Sequence, residues 1–255
     1  MRSFAKTSAR TAFSVAAFGA VAILSSQVSS AAPVPAVKLP AAAAAVAAIQ
    51  AKTAPAPVLR PAAPAARPAS PTTLRSLMKF ETVRWGGKPV QTLDEGSRLL
   101  LARAAADQAG LREFGLSYQD VYGIIEAETS WIQRTGSSKD GTPNLGLAQF
   151  EPRTAKDLGL TDPSDPVQAV FAAAQYMKLG AQWADSRIGH LKSNPALYAA
   201  KLREGVSVHY NLSIKGRNKW NGLNTAQLPV ETQRHIRNAA AGAKEAAELA
   251  RSLTA

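Results

Sequence analysis

The chain of 255 residues contains no cysteine. That excludes disulfides, thiolate metal sites, a cysteine nucleophile and lipid attachment to a cysteine behind a leader. Acidic residues are also missing from one end, since no Asp or Glu occurs before Glu81. Arg2, Lys6, Arg10, Lys38, Lys52, Arg60, Arg67 and Arg75 all precede it, against a formal net charge of +12. Setting these eight aside leaves +4 for the rest of the chain. A basic chain points to nucleic acid only when the charge lies on a folded face. Here it lies mainly ahead of the folded part, so no nucleic-acid partner is expected. His190, His209 and His235 lack metal-ligand spacing such as HExxH, so no metal and no cofactor are expected. There is no Ser/His/Asp hydrolase signature and no phosphate-cradling glycine loop.

The beginning of the chain reads as a secretory signal over residues 1–31. Arg2, Lys6 and Arg10 form a basic region, residues 12–24 an apolar run, and Ser29, Ser30 and Ala31 a small-residue cleavage site. The run is short for a membrane helix, which takes about 20 apolar residues. The expectation is a periplasmic or otherwise exported protein with no stable membrane span once the signal is removed. An uncleaved anchor is the plainer alternative. Residues 32–73 are almost entirely Ala and Pro, too poor in large apolar residues to build a core. They read as a disordered, semi-extended linker with a transient helix over residues 41–50.

The third region, residues 74–255, reads as mainly α with at most a small β element. Thr92 with Glu95 suggests a capping box for a helix that stops at Gly110. Ser117 with Asp120 opens a second helix through Val121, Ile124 and Ile125. Residues 136–144, rich in Gly, Ser, Asp and Pro, read as a loop. Pro152 and Thr154 open a short helix ending near Gly159, and Asp165-Pro166 a longer one through Val170 and Met177. Further helices are expected from about Pro195 toward Val206 and from about Glu231 toward Leu253. The stretch 145–150 is the one candidate strand.

Glu128 stands four residues after Ile124 and seven after Val121, so it continues the apolar stripe of its helix. Glu126 lies about 200° away in projection and is expected to face solvent. A carboxyl group held against apolar side chains has its charged form disfavoured, which suits a general acid near neutral pH. The plainer alternatives are a core-edge Glu paired with an Arg, or a solvated last-turn Glu. Trp131 and Trp220 have the chemistry to stack on sugars, but rings of this kind more often fill a core.

Five motifs in order change the balance. Glu128-Thr129, Gly146-Leu147-Ala148-Gln149, Pro152-Arg153-Thr154-Ala155, Asp165-Pro166 and Tyr210-Asn211 together resemble the soluble lytic transglycosylase domain, a lysozyme-like family. The resemblance covers roughly residues 117–221. Ala148 stands where the family has Met, the loop between Glu128 and Gln149 is longer, and Leu212-Ser213 replace an Ala-Gly pair. The resemblance implies a lysozyme-like helical fold and an enzyme acting on peptidoglycan glycan strands. Glu128 would be its catalytic acid/base, and Thr129, Gln149, Tyr210 and Asn211 would meet substrate. An envelope protein complex is a further candidate partner. Lys215, Arg217 and Lys219 are candidates to meet peptide-stem carboxylates. A lysozyme-type hydrolase with Asp140 as second carboxylate, and a non-catalytic peptidoglycan-binding module, remain as alternatives.

Overall fold

The computed structural model describes residues 71–138 and 140–254. The signal, the helix expected over residues 41–50 and all of the linker up to residue 70 lie outside the described residues. The described part is mainly helical: α1 (Pro71–Leu77), α2 (Glu95–Ala109), α3 (Tyr118–Thr129), α4 (Pro152–Asp157), α5 (Pro166–Ile188), α6 (Pro195–Asn211), α7 (Ile214–Arg217) and α8 (Val230–Ser252). Two antiparallel hairpins interrupt them, β1 (Phe80–Trp85) with β2 (Lys88–Leu93), and β3 (Thr135–Ser137) with β4 (Pro143–Leu145). Among the described residues no helix is long and apolar enough to cross a membrane.

The first hairpin corrects the sequence reading, which saw no strands there. Phe80 to Trp85 pairs in register with Leu93 to Lys88 across Gly86-Gly87, both at positive φ. Two glycines between β-rich runs are a two-residue hairpin signal, because such turns need positive φ at both central positions. Thr92 therefore sits in β2, not at a helix cap. Its buried hydroxyl donates to the Trp131 carbonyl at 2.6 Å, and the cap of α2 falls to Asp94, which accepts from Ser97 N–H. At the other end Gly110, at φ +70°, closes α2 as expected. The expected loop over residues 136–144 is in part the second hairpin. The candidate strand at 145–150 reduces to an isolated bridge between Leu145 and Phe150.

The other helix starts stand where their caps put them. Ser117 and Asp120 make a reciprocal capping box for α3, and Asp165 caps α5 ahead of Pro166. At its C-terminus α3 stops abruptly because Ser130 and Trp131 are both left-handed, with φ +52° and +60°. Such a conformation is costly for a bulky residue and persists only when packing enforces it. The Trp131 ring is fully buried against Tyr122, with ring centroids 5.1 Å apart. Trp220 is likewise fully buried, so both indoles are core residues.

The core lies where α2, α3 and α5 meet, with α8 laid along α3. Thr232, His235, Gly242 and Ala246 are the buried residues of α8, spaced by three, seven and four. They form one inward stripe, and Ile236, Ala239, Leu249 and Ala250 pack against the core, partly buried, from the same helix. The two helices come so close that a Cβ on Gly123 would stand 2.2 Å from the Ala239 carbonyl oxygen. A Cβ on Gly242 would stand 2.8 Å from the Glu126 Cβ. Glu126 is consequently half-buried against α8, not turned to solvent as its helical projection suggested.

Candidate active site

A cavity of about 790 Å³ opens between the end of α3, residues 149–151, α4, the middle of α5 and the end of α6. Glu128 lines it, and the side chain keeps 16% of its exposure. Its Oε1 lies 2.8 Å from His235 Nε2 on α8. Its main-chain carbonyl accepts from the Arg134 guanidinium. Two further carboxyl groups, Glu151 and Asp157, line the same cavity from exposed positions. Asp140 does not; it is exposed in the hairpin loop, and its carboxylate accepts from the Thr142 N–H at 3.0 Å. That bond holds the Asp140 carboxyl below the usual carboxylate range.

The residues singled out beside Glu128 have a shared local task. Gln149 is left-handed at φ +51°, and its amide donates to the Gly146 carbonyl at 2.7 Å and to the Arg134 carbonyl at 3.0 Å. Thr129 is buried, and its hydroxyl donates to the Leu147 carbonyl at 3.1 Å. The Tyr210 hydroxyl donates to the Ala148 carbonyl at 3.0 Å. Three successive carbonyls of the Gly-Leu-Ala segment are thus each taken by one motif side chain. Gly146 is required by space as well as by its φ of +73°, since a Cβ there would stand 2.2 Å from the Pro163 carbonyl oxygen. Gln149 and Tyr210 line the cavity, whereas Thr129 sits behind it. Asn211 is exposed at the cavity edge, and its Oδ1 accepts from Thr232 on α8 at 2.7 Å.

Aromatic rings make the floor. Phe150, Tyr176 and Tyr210 pack with centroids 5.3 to 5.5 Å apart, and His209 lies 4.7 Å from Tyr176. Burial holds the Tyr210 hydroxyl well above the ordinary phenol range, with the charge of Glu128 adding to it, so it stays a donor. Burial also pushes the His209 imidazole down to about 3, with the Arg217 charge assisting. His209 is therefore neutral at ordinary pH and packs as an aromatic. Of the three basic candidates only Arg217 lines the cavity, joined there by Arg134 and Arg153. Among the described residues no cluster of His, Asp and Glu is arranged to hold a metal.

His235 is the residue that sequence reasoning missed. The signal was present, because His235 falls on the same inward stripe of α8 as Gly242 and Ala246. Nothing in the sequence, however, says which helix that stripe meets.

Residues 106–222 match the family model described as Transglycosylase SLT domain. The matched stretch runs from the last turn of α2 to just past α7 and takes in the motifs from Glu128 to Asn211. It is also similar to a protein of Enterobacteria phage PRD1 described as "Transglycosylase", 34% identical over 70 residues. That match takes in 28% of this chain and 25% of the phage protein, so the chain spans about a quarter of its relative's length. No solved structure matches the chain.

Proposed function

We propose that this protein is an exported lytic transglycosylase that cleaves the β-1,4 bond between N-acetylmuramic acid and N-acetylglucosamine in peptidoglycan without water. The observation that carries the reading is Glu128, a largely buried carboxyl group in a polar cavity, held at one oxygen and flanked by the motif-bound loop. The matched domain and the name of the phage relative support the same chemistry. Protonated Glu128 gives its proton to the glycosidic oxygen as the bond breaks, and the substrate's 2-acetamido group supports the developing cation. The Glu128 carboxylate then takes the proton of the muramoyl C6 hydroxyl, and that oxygen closes a 1,6-anhydro ring on C1. One protein carboxyl suffices, where the usual glycosidase uses two at about 5 to 9.5 Å. Peptidoglycan lies outside the cytoplasm, so the signal-like residues 1–31 belong to the same proposal.

The second reading, a hydrolase, now rests on Glu151 in place of Asp140, because Glu151 shares the cavity with Glu128. Digestion of purified peptidoglycan with the wild type and with Glu128→Gln, read by mass spectrometry, separates the two. Muropeptides one water lighter than their hydrolysed counterparts, and lost in Glu128→Gln, are the expected result. Hydrated products would overturn the transglycosylase reading in favour of the hydrolase. Equal product from both proteins would overturn Glu128 as the acid.

A further inference from the structure

We infer that His235, on the helix that follows the matched domain, is a positioning residue that confines the acid proton of Glu128 to the carboxyl oxygen that the imidazole does not meet. The inference rests on Glu128 being the acid, as proposed above. The matched segment ends at residue 222, and α8 begins only at Val230.

The geometry gives the imidazole one polar partner. Nε2 lies 2.8 Å from Glu128 Oε1, whereas Nδ1 is buried with no hydrogen-bond partner. A buried N–H without an acceptor costs about 1–3 kcal/mol, and orphaned buried N–H groups are rarer in folded proteins than under-bonded acceptors. The hydrogen of a neutral ring therefore sits on Nε2 and is donated to Oε1. An oxygen that is already accepting this bond cannot hold the acid proton pointed at the same nitrogen. The proton is left to Oε2, the oxygen that does not meet the imidazole, on a side chain that lines the cavity. When the proton leaves for the glycosidic oxygen, the Nε2–H bond becomes charge-assisted and strengthens, so it favours the state formed as the bond breaks.

The fold holds this ring in place. One turn earlier on α8, Thr232 donates to Asn211 Oδ1 at 2.7 Å, tying the start of α8 to the end of α6. The Tyr210 ring lies beside the imidazole, centroids 6.1 Å apart and nearly parallel. Further along, Gly123 and Gly242 allow α8 to sit against α3. The charged and titratable groups around the pair are Tyr210 and His209 from α6, Tyr176 from α5, Arg134 at the Glu128 carbonyl, and Glu151, Arg153, Asp157 and Arg217 across the cavity.

The test compares His235→Gln, which keeps an N–H donor near the Nε2 position, with His235→Leu, which keeps bulk and removes the donor. Both are made in the full chain, and their thermal unfolding is checked first. His235→Leu is expected to lower kcat for muropeptide release about 10- to 100-fold, with KM changed less than about twofold. His235→Gln is expected to restore the rate. A His235→Leu protein with the wild-type rate overturns the inference while the wild type still makes anhydro products. So does a folded His235→Gln that is as slow as Glu128→Gln. Imidazole ¹⁵N NMR gives a reading that needs no turnover, with the His235 signals assigned by their loss in His235→Leu. The ring hydrogen is expected on Nε2, and a ring with its hydrogen on Nδ1 overturns the inference even if the transglycosylase reading has failed.

Discussion

Glu128, Thr129, Gln149 and Tyr210 look equivalent as motif letters, yet their side chains have different tasks. Glu128 lines the cavity and is bound by its carboxylate to His235, while the other three bind main-chain carbonyls of residues 146–148. Their first task is to hold an irregular backbone in a shape that it would not keep alone. A Tyr210→Phe change leaves the Ala148 carbonyl without its donor. It is expected to cost about 1–3 kcal/mol, the usual penalty for a buried polar group left unpaired. Thermal or urea unfolding measures it, and a stability equal to the wild type would show that water replaces the hydroxyl. The identity of these residues was legible in the motif, but their hydrogen-bond partners were not. The partners are backbone atoms of distant residues, and no residue type announces a carbonyl in need of a donor.

At the scale of elements, the site depends on how closely α8 approaches α3. Gly123 and Gly242 set that distance, since a Cβ at either position would meet backbone or side-chain atoms at under 3 Å. Gly123→Ala or Gly242→Ala is expected to destabilise the fold by about 1–3 kcal/mol, the typical cost of overpacking. It should also slow muropeptide release, because His235 rides on the displaced helix. Gly216→Ala is the control, its nearest atom being 3.4 Å away. Unfolding midpoints and rates for the three variants check this, and a Gly123→Ala protein as stable and as fast as Gly216→Ala would refute it. Helix starts were legible because caps are local chemistry, as with Ser117, Asp120 and Asp165. The hairpin around Gly86-Gly87 was also legible in principle, its glycines being the signal that the reading passed over. The cap at Thr92 was misplaced by two residues because Thr92 spends its hydroxyl on Trp131.

For the whole molecule, buried ionisable groups couple the fold to pH. The unfolded chain protonates His209 near the ordinary imidazole value, about 6.5, and the folded chain only near 3. The unfolded state thus binds more protons between those limits, so stability is full above about 6.5 and falls as the pH drops toward 3. The slope from this one group approaches about 1.4 kcal/mol per pH unit. Urea unfolding at pH 7, 5.5 and 4.5 should show the loss, and His209→Phe, if it packs, should flatten it. An unchanged slope in that variant would refute the assignment. By itself the sequence determined the helical class and most of the helix starts, and it singled out Glu128 as a candidate, because capping, periodicity and motif order are properties of neighbouring residues. Only the tertiary structure decided that Glu126 packs inward, that Thr129 lies behind the cavity and that His235 meets Glu128. Each of these depends on which helix faces which. Two glycines that touch across α3 and α8 settle that question, and their meaning cannot be read one residue at a time.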